Sequence, residues 1–106
     1  MSRSMFYITA GSKEEAEKVA ANLVKKRLVA CANVLPGIQS FFYWEGEVQS
    51  EEEFLIIGKT RTDAVDDLVA RVKEIHSYDV PCVITWELKN GNPEFLQWID
   101  DEVQIN

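Results

Sequence analysis

Four aromatic residues stand side by side at Phe41-Phe42-Tyr43-Trp44, and the following Glu45-Gly46-Glu47 carries the glycine that a tight hairpin needs. Side chains of a β-strand point alternately to its two faces, so a strand with one wet face alternates apolar and polar residues. This run does not alternate: its rings point both ways. The return run Phe54-Leu55-Ile56-Ile57 does not alternate either. Both strands need apolar cover on both faces, and that demand constrains the fold more than any other stretch.

The flanking sequence shows what the chain can offer as cover. Ser4 to Thr9 reads as a first strand ending near Gly11, and Ser12 with Glu15 three residues on has the pattern of a capping box. Ala16, Val19, Ala20, Leu23 and Leu28 follow at helical spacing, with Lys25 and Lys26 at the end the macrodipole favours for cations. Leu28 to Val34 reads as a strand, broken at Pro36-Gly37 by an edge position or a bulge. It resumes from Ile38 to Trp44. The hairpin returns through Val48 and, after Glu51-Glu52-Glu53, the run Phe54 to Lys59. Thr62 is expected to cap a second helix whose apolar face is Val65, Leu68, Val69, Val72 and Ile75. His76 to Pro81 reads as a loop and Cys82 to Leu88 as the last strand. Asn92 and Pro93 then open a short final helix carrying Phe95, Leu96, Ile99 and Val103.

Strand, helix, strand, strand, helix, strand predicts an α+β, ferredoxin-like βαββαβ sandwich, with an extended hairpin between the second and third strands and an extra C-terminal helix. The 106 residues suit one domain, 1–106. In this topology the second and fourth strands lie at opposite edges, too far apart for Cys31 and Cys82 to bridge. The helices cover one face of the sheet, so two of the four rings lack a home. Burying those two is worth on the order of 8–12 kcal/mol gross at ~25 cal/mol/Å². That rivals a domain's whole net stability of about 5–15 kcal/mol. The expectation is a homo-oligomer in which the hairpin packs on, or pairs with, a neighbouring copy.

Charge and motif content narrow the function. A formal net charge of -7 without a basic stripe disfavours nucleic acid as a partner. No apolar run approaches the length of a membrane span or a signal-peptide core, so neither a membrane nor export is expected and the cytoplasm is the expected location. His76, the single histidine, stands just past the second helix, either as a helix-terminal or hinge residue or as a metal ligand. No His-x-x-x-His or Cys-x-x-Cys spacing accompanies it, so a metal site built on it must be weak or shared between chains. Cys31 lies in an apolar strand and Cys82 follows Pro81, neither with a basic cluster to activate it. No phosphate loop or nucleophile elbow is present, and no enzymatic activity is expected.

Several short segments in order, namely Arg27 to Asn33, Pro36-Gly37, Tyr43-Trp44-Glu45-Gly46, Lys59-Thr60-Arg61, His76 to Pro81 and Gly91 to Ile99, resemble the CutA family of divalent-cation-tolerance proteins. The resemblance runs from about Phe6 to Ile99. It implies a ferredoxin-like fold, a homotrimer, a cytoplasmic protein, a role in the response to divalent metal ions and binding of copper or another divalent ion. It carries candidate metal ligands onto His76 and Cys31, with Cys82 as a further thiol where the family commonly has an acidic residue. Two other departures are Ile8, where some members have cysteine, and Ser77, where the family usually has proline. The alternative is a PII-like small-ligand or signalling module, because PII proteins share this fold and assembly. Its inter-subunit cleft would use Trp44, Lys59, Tyr78 and Trp98, and a small organic anion is the expected ligand. An acylphosphatase-like enzyme lacks its arginine loop in Ala10-Gly11-Ser12-Lys13, and RNA binding lacks its aromatic sheet motif.

Overall fold

The computed structural model describes residues 1–105. Strand β1 is Arg3–Ala10, in which Ser4, Phe6, Ile8 and Ala10 are buried while Arg3, Met5 and Tyr7 are only half covered. That period of two puts one face against helices. Helix α1, Lys13–Lys25, starts where the Ser12 hydroxyl accepts the Glu15 N–H at 3.1 Å. Strand β2 is Cys31–Trp44 and β3 is Glu47–Arg61. A short 3-10 turn, Thr62–Ala64, leads into α2, Val65–Ile75. Strand β4 is Val83–Leu88 and helix α3 is Pro93–Glu102, capped by the Asn92 side chain.

The four strands form one antiparallel sheet in the order β2-β3-β1-β4. Its helix-facing side joins Phe6, Ile8 and Ile56 to Val19, Leu23, Leu68 and Val72 in the main core. As expected of the split βαβ arrangement, β2 and β4 are opposite edges, and Cys31 and Cys82 are both free thiols.

Four expectations are corrected. Strand β2 begins at Cys31, not Leu28. Thr62 caps no helix; its hydroxyl joins those of Ser2 and Ser4, at 2.8 and 2.7 Å, and ties α2 to the start of β1. The acidic triplet Glu51-Glu52-Glu53 does not interrupt β3, because each residue pairs in register with β2. Nor are the helices confined to one face. Arg3 and Lys59 project from the side opposite Phe6 and Gly58, and both meet α3: Arg3 through Asp100 at 2.5 Å, Lys59 over the Phe95 ring. A second small cluster of Ala30, Ala64, Ile99 and Val103 forms beneath α3.

The hairpin outruns the sheet. β1 pairs with β3 only as far as Ala10 opposite Phe54. From Ile38 opposite Glu53 to Trp44 opposite Glu47, β2 and β3 continue as a two-stranded ribbon, roughly 20 Å long at the usual strand rise. Glu45 and Gly46 turn it with φ of 52° and 81°, the paired left-handed conformations of a tight hairpin. At Pro36-Gly37 two residues of β2 face the single Phe54 of β3, the expected bulge. The extra residue reverses the parity of β2. Phe42 and Trp44 thereby share a ribbon face with Glu51 and Glu53, and Phe41 and Tyr43 take the other.

Candidate functional site

The loop after α2 is pinned to the end of β1 by His76. Its ring is buried, with Nε2 2.8 Å from the Thr9 carbonyl and Nδ1 accepting the Tyr78 backbone N–H at 3.1 Å. Because Nδ1 accepts, the proton sits on Nε2 and is donated to Thr9. Both nitrogens are engaged by backbone.

Glu15 holds the same loop from α1. Rather than closing the capping box, its carboxylate accepts the Ser77 N–H at 2.8 Å and the Ser77 hydroxyl at 2.9 Å, and lies 4.0 Å from His76 Nδ1. Burial alone would raise this carboxyl, but the Ser77 hydrogen bonds, the nearby imidazole and the Gly11 N–H outweigh it and hold it below the ordinary 4.5. A proline at position 77 would provide neither donor.

Tyr78 follows, its ring tilted against His76 with centroids 4.7 Å apart and its hydroxyl donating to Glu53 Oε2 at 2.9 Å. Burial first, then that hydrogen bond and the charges of Glu53, Glu51 and Glu15, push its hydroxyl up to about 12. Tyr78 therefore stays a proton donor throughout the physiological range.

Between this loop and the ribbon lies an open cleft of about 690 Å³. Phe42, Trp44 and Tyr78 form its apolar walls, and Glu51, Glu53 and Asp79 supply its charge. Cys82 lines it too; burial and then the Glu53 charge raise its thiol above the ordinary 9.0, which keeps it protonated. Among the described residues no lysine, arginine or histidine lines this cleft, so its sign is opposite to that wanted by the expected organic anion.

The residues expected to line one cleft fall into two groups. Trp44 and Tyr78 meet here, whereas Lys59 lies 5.8 Å from the Phe95 ring, which stacks against Trp98 at 5.3 Å. Lys59 pairs with Met5 while Leu55 pairs with Thr9, an offset of roughly 13 Å along the strand. Cys31 is opposite Lys59, at that far end, and Cys82 is at the near end with His76. Among the described residues no three of His, Cys, Asp and Glu converge on a point where they could hold a metal ion. The donors of one chain therefore do not by themselves fit a closed copper site.

The family described as CutA1 divalent ion tolerance protein matches residues 4–102. This chain belongs to that family. A divalent-cation tolerance protein CutA from Archaeoglobus fulgidus is 45% identical over 101 residues, covering 95% of this chain and 98% of the relative. Its structure, described as periplasmic, superposes with a TM-score of 0.93 over 96% of this chain and 99% of that one, at 44% identity. The crystal structure of CutA1 from Oryza sativa gives a TM-score of 0.97 at 38% identity, covering 100% and 97% of the two chains. The chloroplastic CutA 1 sequence of rice is longer: at 41% identity over 98 residues, 92% of this chain matches 55% of it. The family description names tolerance to ions and no reaction. With periplasmic and chloroplastic relatives, CutA1 membership alone does not place this chain in the cytoplasm. Among the described residues, no helix is long and apolar enough to cross a membrane.

Sequence reasoning singled out Trp44, Tyr78, His76 and Cys82 but missed Thr9 and the partnerships of Glu15 and Glu53. The bulge at Pro36-Gly37 was the available signal for the ribbon face, since one extra residue fixes which rings stand beside Glu51 and Glu53.

Proposed function

We propose that this CutA1 family member works as a homotrimer in tolerance to divalent cations, copper above all, and binds the ion weakly with donors from more than one chain. The ribbon from Ile38 to Glu53 carries this reading: it has no third strand, and Tyr43 and Trp44 near its tip are 77% and 63% exposed. A hairpin standing alone is marginal in water, and such a patch is unusual on a monomer. Leu35, Ile84 and Trp86 on the open sheet face add further exposed apolar surface for neighbouring copies.

Within the trimer, Cys82 is the soft donor nearest to carboxylates, and Cys31 of another chain is a second thiol. His76 serves the site by holding the loop, because ligation through either nitrogen would cost it a backbone hydrogen bond. Anaerobic calorimetric titration of copper into wild type, Cys82→Ser and His76→Ala tests this assignment. Cys82→Ser is expected to weaken binding about tenfold or more, the equivalent of losing one good ligand contact; folded His76→Ala, which loosens the loop but removes no ligand, is expected to weaken it only a few-fold. Equal binding by Cys82→Ser and wild type would remove the thiol from the site.

The cleft beside Tyr78 favours a second reading, a small-ligand module of the PII kind. Its volume of about 690 Å³ and its aromatic walls exceed what a bare ion needs.

A further inference from the structure

We propose that the cleft beside Tyr78 binds a protonated aliphatic amine, with the ammonium group against Glu53 and the alkyl stem along Phe42 and Trp44. This rests on the small-ligand reading and names the ligand's chemical class.

Glu53 carries the inference. It is 8% exposed, yet only its Oε2 is held, by the Tyr78 hydroxyl. Its Oε1 accepts no hydrogen bond from any described residue, although the side chain lines the cleft. That oxygen is left to the water of the open cleft, since no buried side-chain oxygen or nitrogen among the described residues lacks a partner. A donor that also brings positive charge would replace that water most favourably. Neither is supplied from within: among the described residues every charged one lining the cleft is acidic, and Tyr78 has one hydroxyl proton to give.

The remaining walls select among cations. Phe42 and Trp44 share the ribbon face that bears Glu51 and Glu53. Ring faces attract cations and cover alkyl stems. A divalent metal would leave these rings unused, and no three ligating side chains converge here among the described residues. A quaternary ammonium would satisfy the rings but has no N–H for Oε1. An alkylammonium does both: its N–H groups reach Glu53, with Glu51 and Asp79 adding charge at the mouth, and its stem lies on the rings. The volume, about 690 Å³, leaves room for a chain of several carbons.

The test uses three probes of one size on the assembled protein, with its oligomeric state checked by sedimentation: n-butylamine, n-butanol and butyrate, each titrated calorimetrically at neutral pH. The amine is expected to bind saturably, with butanol and butyrate at least about tenfold weaker, as expected when a charge-assisted hydrogen bond is lost. Glu53→Gln, which keeps the shape and the Tyr78 contact, is expected to weaken the amine by a similar factor. Glu51→Gln, an exposed position where folding is not at risk, is expected to weaken it a few-fold, and added salt to weaken it further. Equal binding of butanol or butyrate, or unchanged amine binding in both variants, would overturn the amine while leaving a small-ligand cleft in place. Failure of all three probes to bind would overturn the inference together with the small-ligand reading.

Discussion

Strand β3 passes through two environments. From Phe54 to Arg61 it lies between β2 and β1, with Ile56 and Thr60 fully buried on its helix side and Gly58 so close to its neighbours that no side chain would fit. From Glu47 to Glu53 the same strand has one partner, β2, and Glu47, Val48, Glu51 and Glu52 stand in solvent. The first half is held by its own chain. The second half has comparable β-sheet hydrogen bonding on one side but no core, although its β2 partner carries the richest run of aromatic residues in the sequence. Apolar residues without a core within their own chain indicate where another chain belongs.

The largest expected effect lies on the ribbon. Replacing Phe41 and Tyr43, the two rings on the ribbon face away from the cleft, together by serine should leave each chain folded but weaken assembly by about 2 kcal/mol or more per ring, as for buried aromatic anchors. Concentration-dependent sedimentation would measure it. In the sheet the opposite outcome is expected. A Cβ at position 58 would lie 2.1 Å from the Cys31 carbonyl oxygen and 2.6 Å from the Phe6 ring, so Gly58→Ala should cost about 3 kcal/mol of chain stability. Chemical denaturation at several protein concentrations would separate that loss from a loss of assembly. At the junction between the two regions, His76→Ala removes the Thr9 and Tyr78 contacts. It should cost about 2 kcal/mol, with Tyr78 losing its elevated titration when followed by ultraviolet absorbance.

The smallest effect is expected at Glu15 and depends on pH. Its carboxyl ionises more readily in the folded chain than in the unfolded one, so just below the ordinary 4.5 the unfolded chain binds more protons. The stabilisation is therefore present above that value and is lost as pH falls through the folded pKa. Wild type should exceed Glu15→Gln by less than about 1 kcal/mol at neutral pH, because solvent screens the half-buried group. Denaturation repeated in acid should show the gap closing.

The order of elements and the ribbon were legible because both are written in local periodicity: the helical faces of α1 and α2, the Glu45-Gly46 turn, and rings that refuse to alternate. The site was legible only in part. His76 and Tyr78 stand out as residues, but Tyr78 meets Glu53 across 25 positions and Ser77 meets Glu15 across 62. Contacts of that separation leave no periodic trace. Glu15 looked like half of a capping box because Ser12 does cap α1; its carboxylate has stronger donors in Ser77. Thr62 departs from the expected capping role for a similar reason, since the hydroxyls of Ser2, just before β1, and Ser4, within it, compete with the helix terminus for it. Lys59 and Trp98 did come together, but around Phe95 and far from Trp44, because α3 covers the opposite end of the sheet.

Sedimentation equilibrium of the wild-type chain at micromolar concentration bears most directly on the claim that identical copies bury the ribbon. A single species of three times the 12.1 kDa chain mass is expected. A stable species of 12.1 kDa with the hairpin intact would contradict it.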